Sequence, residues 1–196
     1  MISAADILNE ARISLRDPLE GGARMLRANI PDSAVWPFFL LSVVLSALAM
    51  ELNSFMSLPP QSGVTVVYYP PVLVALGFAI FNFALAWSLT RVGRAMGGNG
   101  SLRAAMILIA WQQYLAFGLT VGLTLAALVL PFLSLLSLIV AGWMIWVTAA
   151  FVKVLHGFDD WGITVVVLII AMFICACLLA FMVLTFGAPI EIPANA

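Results

Sequence analysis

A chain of 196 residues that is 64% hydrophobic and 9% charged, with a mean hydropathy of +1.16, has too few polar side chains to cover a soluble core. It reads as an all-α, polytopic integral membrane protein, and its net charge of −1 argues against a nucleic-acid partner. The most polar interruption is Arg91 to Arg103, RVGRAMGGNGSLR, which carries three of the eight Lys and Arg residues around a Gly-Gly-Asn-Gly turn.

The first thirty residues predict two short amphipathic helices. Ser3 followed by Asp6 resembles a capping box, after which Ile7, Leu8, Ala11 and Leu15 share a face and Glu10, Arg12 and Arg16 lie elsewhere. Asp17 then caps a second helix, with Pro18 at its first position and Glu20 in its first turn, and Leu19, Met25, Leu26 and Ile30 alternate with Arg24 and Arg27. No long apolar run precedes a cleavage site, so this arm is expected to be retained, either lying on the membrane surface or forming an ordinary cytosolic lead-in.

A membrane-crossing helix needs about 20 apolar residues, and the remaining sequence predicts five. The first runs from Ala34 to about Leu52, capped by Asp32 or Ser33. A loop at about 53–69, with an extended-looking VTVVYY, leads to Pro70 and Pro71, which open a second span reaching Leu89. A third span begins near Ala104, and the apolar tract from there to Val152 is too long for one crossing. Pro131 divides it, with a turn at Leu128 to Leu133. Lys153, His156, Asp159 and Asp160 form a polar connection to the fifth span, Ile163 to Phe186, and a short tail, GAPIEIPANA, follows. The organisation is therefore an arm at 1–32, a five-helix membrane domain at 33–187 and a tail at 188–196.

Cytoplasmic loops are enriched in Lys and Arg. With the N-terminus inside, all eight basic residues fall inside: Arg12, Arg16, Arg24, Arg27, Arg91, Arg94, Arg103 and Lys153. This predicts a multi-pass membrane protein with a cytoplasmic N-terminus and an external C-terminus. Trp36, Trp87 and Trp161 fall at inner interfaces and Tyr68 and Tyr69 at the outer one, whereas Trp111, Trp143 and Trp146 lie deeper and are expected to be packing residues.

The segments GGNGSLRAAMILIAWQQY and WMIWVTAAFVKVLHGFDDWGITVVVLII, together with DPLEGGARML before the first span, resemble the Yip1 family of five-span membrane proteins, in its prokaryotic branch. That resemblance implies the same topology as the charge count. Eukaryotic members are associated with Rab-type GTPases and vesicle traffic, but their Asp-Leu-Tyr-Gly-Pro motif is absent here, so that role is not carried over. The proline often found early in the third span of such proteins is also missing, with Gln112 and Gln113 in its neighbourhood.

The catalytic inventory is poor. His156 is the single histidine, with Asp159 and Asp160 nearby in sequence as solvated charge, so no catalytic residue, metal site or cofactor is expected. GGNGSLR lacks the lysine of a phosphate-binding loop and reads as a flexible turn. Cys175 and Cys177 point to different faces of one helix. Arg91, Arg94, Arg103 and Lys153 are candidates for docking anionic lipid headgroups or another membrane protein.

Small residues form stripes, Ser42, Ser46, Ala49 and Asn53 in the first span and Ala75, Ala79, Asn82 and Ala86 in the second, which assigns Asn82 a helix-packing role. Gly118 and Gly122 form a Gly-x-x-x-Gly pair, extended by Tyr114 and Ala126, expected to pack against the second span or across a homo-oligomer. Two functions follow: a non-enzymatic membrane-organising or partner-docking scaffold, or a small transporter or channel component. A dry core of interlocked small residues favours the first, and a cavity reaching Asn82 or Gln112 the second.

Overall fold

The computed structural model describes residues 4–56 and 70–186. The Ser3 cap, the VTVVYY segment with Tyr68 and Tyr69, and the GAPIEIPANA tail lie outside them. Among the described residues the chain forms α1 (Ala4–Arg16), α2 (Pro18–Arg27), α3 (Asp32–Met56), α4 (Pro71–Ala95), α5 (Leu102–Val129), a 3-10 turn (Pro131–Leu135), α6 (Leu136–His156) and α7 (Trp161–Phe186). The last five helices are each long and apolar enough to cross a membrane.

The helix boundaries follow local chemistry. Asp17 accepts a hydrogen bond from the Glu20 backbone N–H at 3.1 Å, and Pro18 opens α2 where its missing N–H costs nothing. Ser101 caps α5 by accepting from Ala104 N–H at 3.2 Å. Pro131 stops α5 at Val129, and the chain turns through one short 3-10 segment into α6. At the other end of α6, Gly157 takes the left-handed conformation (φ 67°) that lets the helix end on His156. Asp160 then caps α7, accepting from Gly162 N–H at 3.0 Å.

Successive spans run in opposite directions, so one end of the bundle gathers α1, α2, the α4–α5 turn and the α6–α7 turn. Every Lys and Arg lies there, and we call it the basic end. The five spans close a ring in which α3 packs on α5, α5 on α6, α6 on α7, α7 on α4 and α4 on α3, while α4 also reaches α5 across the middle.

The two ends pack differently. At the basic end, Ala105 to Trp111 of α5 are buried on every side, as are Val147 to Val152 of α6. A helix buried all round must be covered all round. The cover is the α1–α2 hairpin, which packs on α5 and α6. Its Ser14 is buried and accepts a hydrogen bond from the Trp111 indole N–H at 2.9 Å. Gly21 lies so close to Ser14 that a side chain there would overlap it, and a Cβ on Gly22 would sit 3.0 Å from the Phe151 ring.

At the far end, Leu125, Leu128, Leu135, Leu138 and Ile139 are exposed. Two expectations are corrected here. Trp143 and Trp146 are not packing residues: they are 44% and 46% exposed, and Trp146 stacks on Trp161 at the bundle surface with ring centroids 4.6 Å apart. Their depth in the sequence gave no information on which face they occupy, because lipid and core are both apolar. Gly118 and Gly122 are exposed, and a Cβ on either would meet nothing within 4 Å, so neither packs against α4 within the chain. Tyr114, one turn nearer the basic end, donates instead to the Phe38 carbonyl of α3 at 2.7 Å, and beyond it that face of α5 opens.

Candidate functional site

The feature that organises the basic end is His156. It is not part of a polar connecting loop but the last residue of α6, 2% exposed, with its ring turned into the bundle. Three glycines make the room. A Cβ on Gly98 would stand 2.5 Å from Nδ1, one on Gly100 would stand 2.6 Å from Cε1, and one on Gly93 would overlap the ring from α4. Phe158 stacks on the ring with centroids 5.1 Å apart.

Hydrogen bonds complete the socket. Gly100 N–H donates to Nδ1 at 3.1 Å, which places the ring hydrogen on Nε2, where it donates to the Leu89 carbonyl at 3.1 Å. The His156 carbonyl accepts from Asn99 N–H at 3.2 Å, and Arg94 Nε donates to the Gly100 carbonyl at 2.7 Å. The Gly-Gly-Asn-Gly segment is therefore a fitted wall of the socket. Both imidazole nitrogens are engaged, and Asp160 is committed to the α7 cap, so His156 offers no free atom to a metal or a substrate.

The four docking candidates are all at this end, each with an internal partner. Arg91 lies over the Trp87 ring, 5.6 Å from its centroid, and Lys153 over Trp161 at 5.1 Å while bonding the Asp159 carbonyl. Arg94 holds the turn, and Arg103 joins α5 to the start of α3 through Asp32 (2.5 Å) and the Ile30 carbonyl. The Arg103–Asp32 pair is exposed and contributes at most about 1 kcal/mol. In the hairpin, Arg24 Nε meets Glu10 Oε2 at 2.9 Å, and this hydrogen bond holds the Glu10 carboxyl below its usual range.

Midway along the bundle a polar seam joins four helices, α3 to α6. Asn82 is fully buried, donates to the Phe78 carbonyl at 2.9 Å and accepts from Gln113 Nε2 at 2.7 Å. Ser46 lies 3.4 Å from Gln113 Oε1, and Gln112 reaches Thr148 on α6 at 2.6 Å. An interhelical bond of this kind is worth roughly 0.6 to 2 kcal/mol. Cys175 is buried beside Ser88 while Cys177 is exposed, as their two-residue spacing predicts.

Sequence reasoning missed the His156 socket and the Ser14–Trp111 bond. The available signal was the grouping of Gly93, Gly98 and Gly100 in a chain whose sole histidine lies 56 residues beyond Gly100.

Among the described residues, seven α-helices, five of them able to span a bilayer and two folded as an amphipathic hairpin against one end, define a multi-pass α-helical membrane protein. The family model for the Yip1 domain matches residues 13–182, and the chain belongs to the Yip1 family. The match begins inside α1, so it takes in most of the hairpin together with the spans. No curated protein and no solved structure matches the chain.

Proposed function

We propose that this Yip1-family protein is a non-enzymatic membrane-organising scaffold of the bacterial inner membrane, whose basic end faces the cytoplasm and engages anionic lipid and partner proteins. The observation that carries this reading is the division of labour within the hairpin. Ala11, Ser14, Leu15, Met25 and Leu26 pack on the bundle, whereas Ile7 (52% exposed) and Leu8 (70%) project from it beside Arg12 and Arg16. An apolar edge flanked by arginines at the level of a membrane interface suits insertion among anionic headgroups. The gathering of all eight basic residues at one end supports the cytoplasmic assignment.

The test uses full-length protein carrying Cys175→Ala and Cys177→Ala, with Leu8→Cys labelled by a fluorophore, in nanodiscs. Nitroxide-bearing lipid should quench the probe strongly in anionic discs and aqueous iodide weakly; the reverse pattern refutes the lipid role. A reporter active only outside the cytoplasm should stay silent when fused at Asn99 and at Phe158, and a signal at Asn99 overturns the orientation.

A second reading, a small transporter, draws on a crevice that reaches Gln113 from the far end. The crevice stops at the Asn82–Gln113 bond, and the side chains toward the basic end, Leu85, Ala86, Leu89 and Ala105 to Trp111, are closely packed. That arrangement supports the scaffold over a through-passage.

A further inference from the structure

The crevice has a chemistry of its own. It has a volume of about 510 Å³, within the range of small-molecule sites, and is lined by Ser46, Ala49, Met50 and Asn53 of α3, Phe78 of α4, and Gln113, Ala116, Phe117 and Thr120 of α5. Ser46 and Asn53 lie roughly 20 to 30 Å along α3 from its basic-end start, at about 1.5 Å per residue, so the crevice occupies the far-leaflet half of the bilayer. Met50, 45% exposed, joins it to the lipid-facing surface beside Leu48.

The lining combines uncharged hydrogen-bonding groups with apolar walls and, among the described residues, holds no ionisable side chain. Gln113 has two amide hydrogens and an acceptor oxygen; one hydrogen is used by Asn82, and the oxygen has only the long 3.4 Å approach of Ser46. Thr120 makes no hydrogen bond among the described residues, whereas Thr90, Thr148, Thr164 and Thr185 each bond the carbonyl four residues back. A polar group at membrane depth is costly unless something bonds it. Among these described lining residues a phosphate would find no cation, and an ammonium no carboxylate.

We propose that this crevice binds an uncharged acyl lipid of the diacylglycerol type, entering sideways from the far leaflet. The free glycerol hydroxyl meets the Gln113 carboxamide, an ester carbonyl accepts from the Thr120 hydroxyl, and the chains lie along Met50, Phe78 and Phe117.

Full-length protein in phosphatidylcholine nanodiscs would be irradiated with a diazirine-bearing diacylglycerol and the adducts mapped by mass spectrometry. Adducts should concentrate on 46–53 and 113–120 and be displaced by excess dioleoylglycerol but not by dioleoylphosphatidylglycerol. Ala116→Trp, which fills the crevice and removes no hydrogen bond, should abolish that labelling. Thr120→Val, nearly isosteric, should weaken competition about fivefold, the effect of one lost hydrogen bond. Equal displacement by both lipids, or labelling unchanged in a folded Ala116→Trp, means ordinary boundary lipid and overturns the proposal. If Ala116→Trp does not fold, unaltered competition in Thr120→Val overturns it instead.

Discussion

Glycines show how differently the two ends of this bundle are built. At the basic end, Gly21, Gly22, Gly93, Gly98 and Gly100 each face an atom that an added Cβ would touch or overlap, while Gly97 and Gly157 face open space and serve turns at positive φ; toward the far end Gly77, Gly118, Gly122 and Gly142 face nothing within 4 Å and have no such turn to make. The same residue type serves as a spacer that admits another group at one end and leaves an unfilled surface at the other. In a bilayer, close approach is the main source of helix association, so the basic end is the locked part of the molecule and the far end the adaptable one.

The largest expected effect breaks the lock. His156→Ala leaves a cavity and strips the buried Gly100 N–H of its acceptor, a combined loss of about 2 to 5 kcal/mol. Gly98→Leu and Gly93→Leu should cost at least about 1 to 3 kcal/mol as overpacking. Gly118→Leu and Gly122→Leu, into open space, should leave the protein unchanged unless a second copy covers them. Thermal stability in detergent measures the whole series. If the two groups of glycine variants melt together, the contrast between the ends is wrong; a concentration-dependent penalty confined to Gly118 and Gly122 would place a homo-oligomer contact on that face.

The smallest expected effect sharpens the contrast by asking whether charge contributes to the lock. Arg24 holds the Glu10 carboxyl below its usual 4.5, chiefly by hydrogen bonding. A carboxyl depressed in the folded state stabilises it above the unfolded value, and that contribution disappears as pH falls through the folded value. Pairing of α1 with α2, followed by hydrogen exchange in α1, should therefore weaken slightly below about pH 4.5, and Glu10→Gln should remove the pH dependence. Both groups are partly exposed, so salt should shrink the effect further. An equally steep loss in Glu10→Gln would assign it to another group.

Much of this architecture was legible from residue order. Pro131 marked the α5–α6 turn, Asp17 and Pro18 marked the start of α2, and the length of each apolar run set the five spans. These are one-dimensional signals, in which a proline or a cap acts on its own neighbours. Facing was less accessible. Trp143 and Trp146 were assigned to packing surfaces by depth, although a side chain bound for lipid has the same polarity as one bound for the core, and Gly118 and Gly122 by their Gly-x-x-x-Gly spacing, which does not say what covers it. His156 looked like loop charge because Lys153, Asp159 and Asp160 are its neighbours in sequence, while Gly93, Gly98 and Gly100, its neighbours in space, come from another hairpin. Asn82 stood out because an amide among apolar residues stands out at any depth.

The closed ring of spans also has a consequence for biosynthesis. α4 is flanked by α3, made before it, and by α7, made last among the spans. At roughly 5 to 20 residues per second, several seconds of synthesis separate the end of α4 from the emergence of its second neighbour. During that interval Ser88, buried beside Cys175 in the finished protein, faces lipid or the insertion machinery, and the His156 that will fill the gap against Gly93 is made only late in it. The α4 helix thus waits half-covered, and the ring closes only when the fifth span arrives.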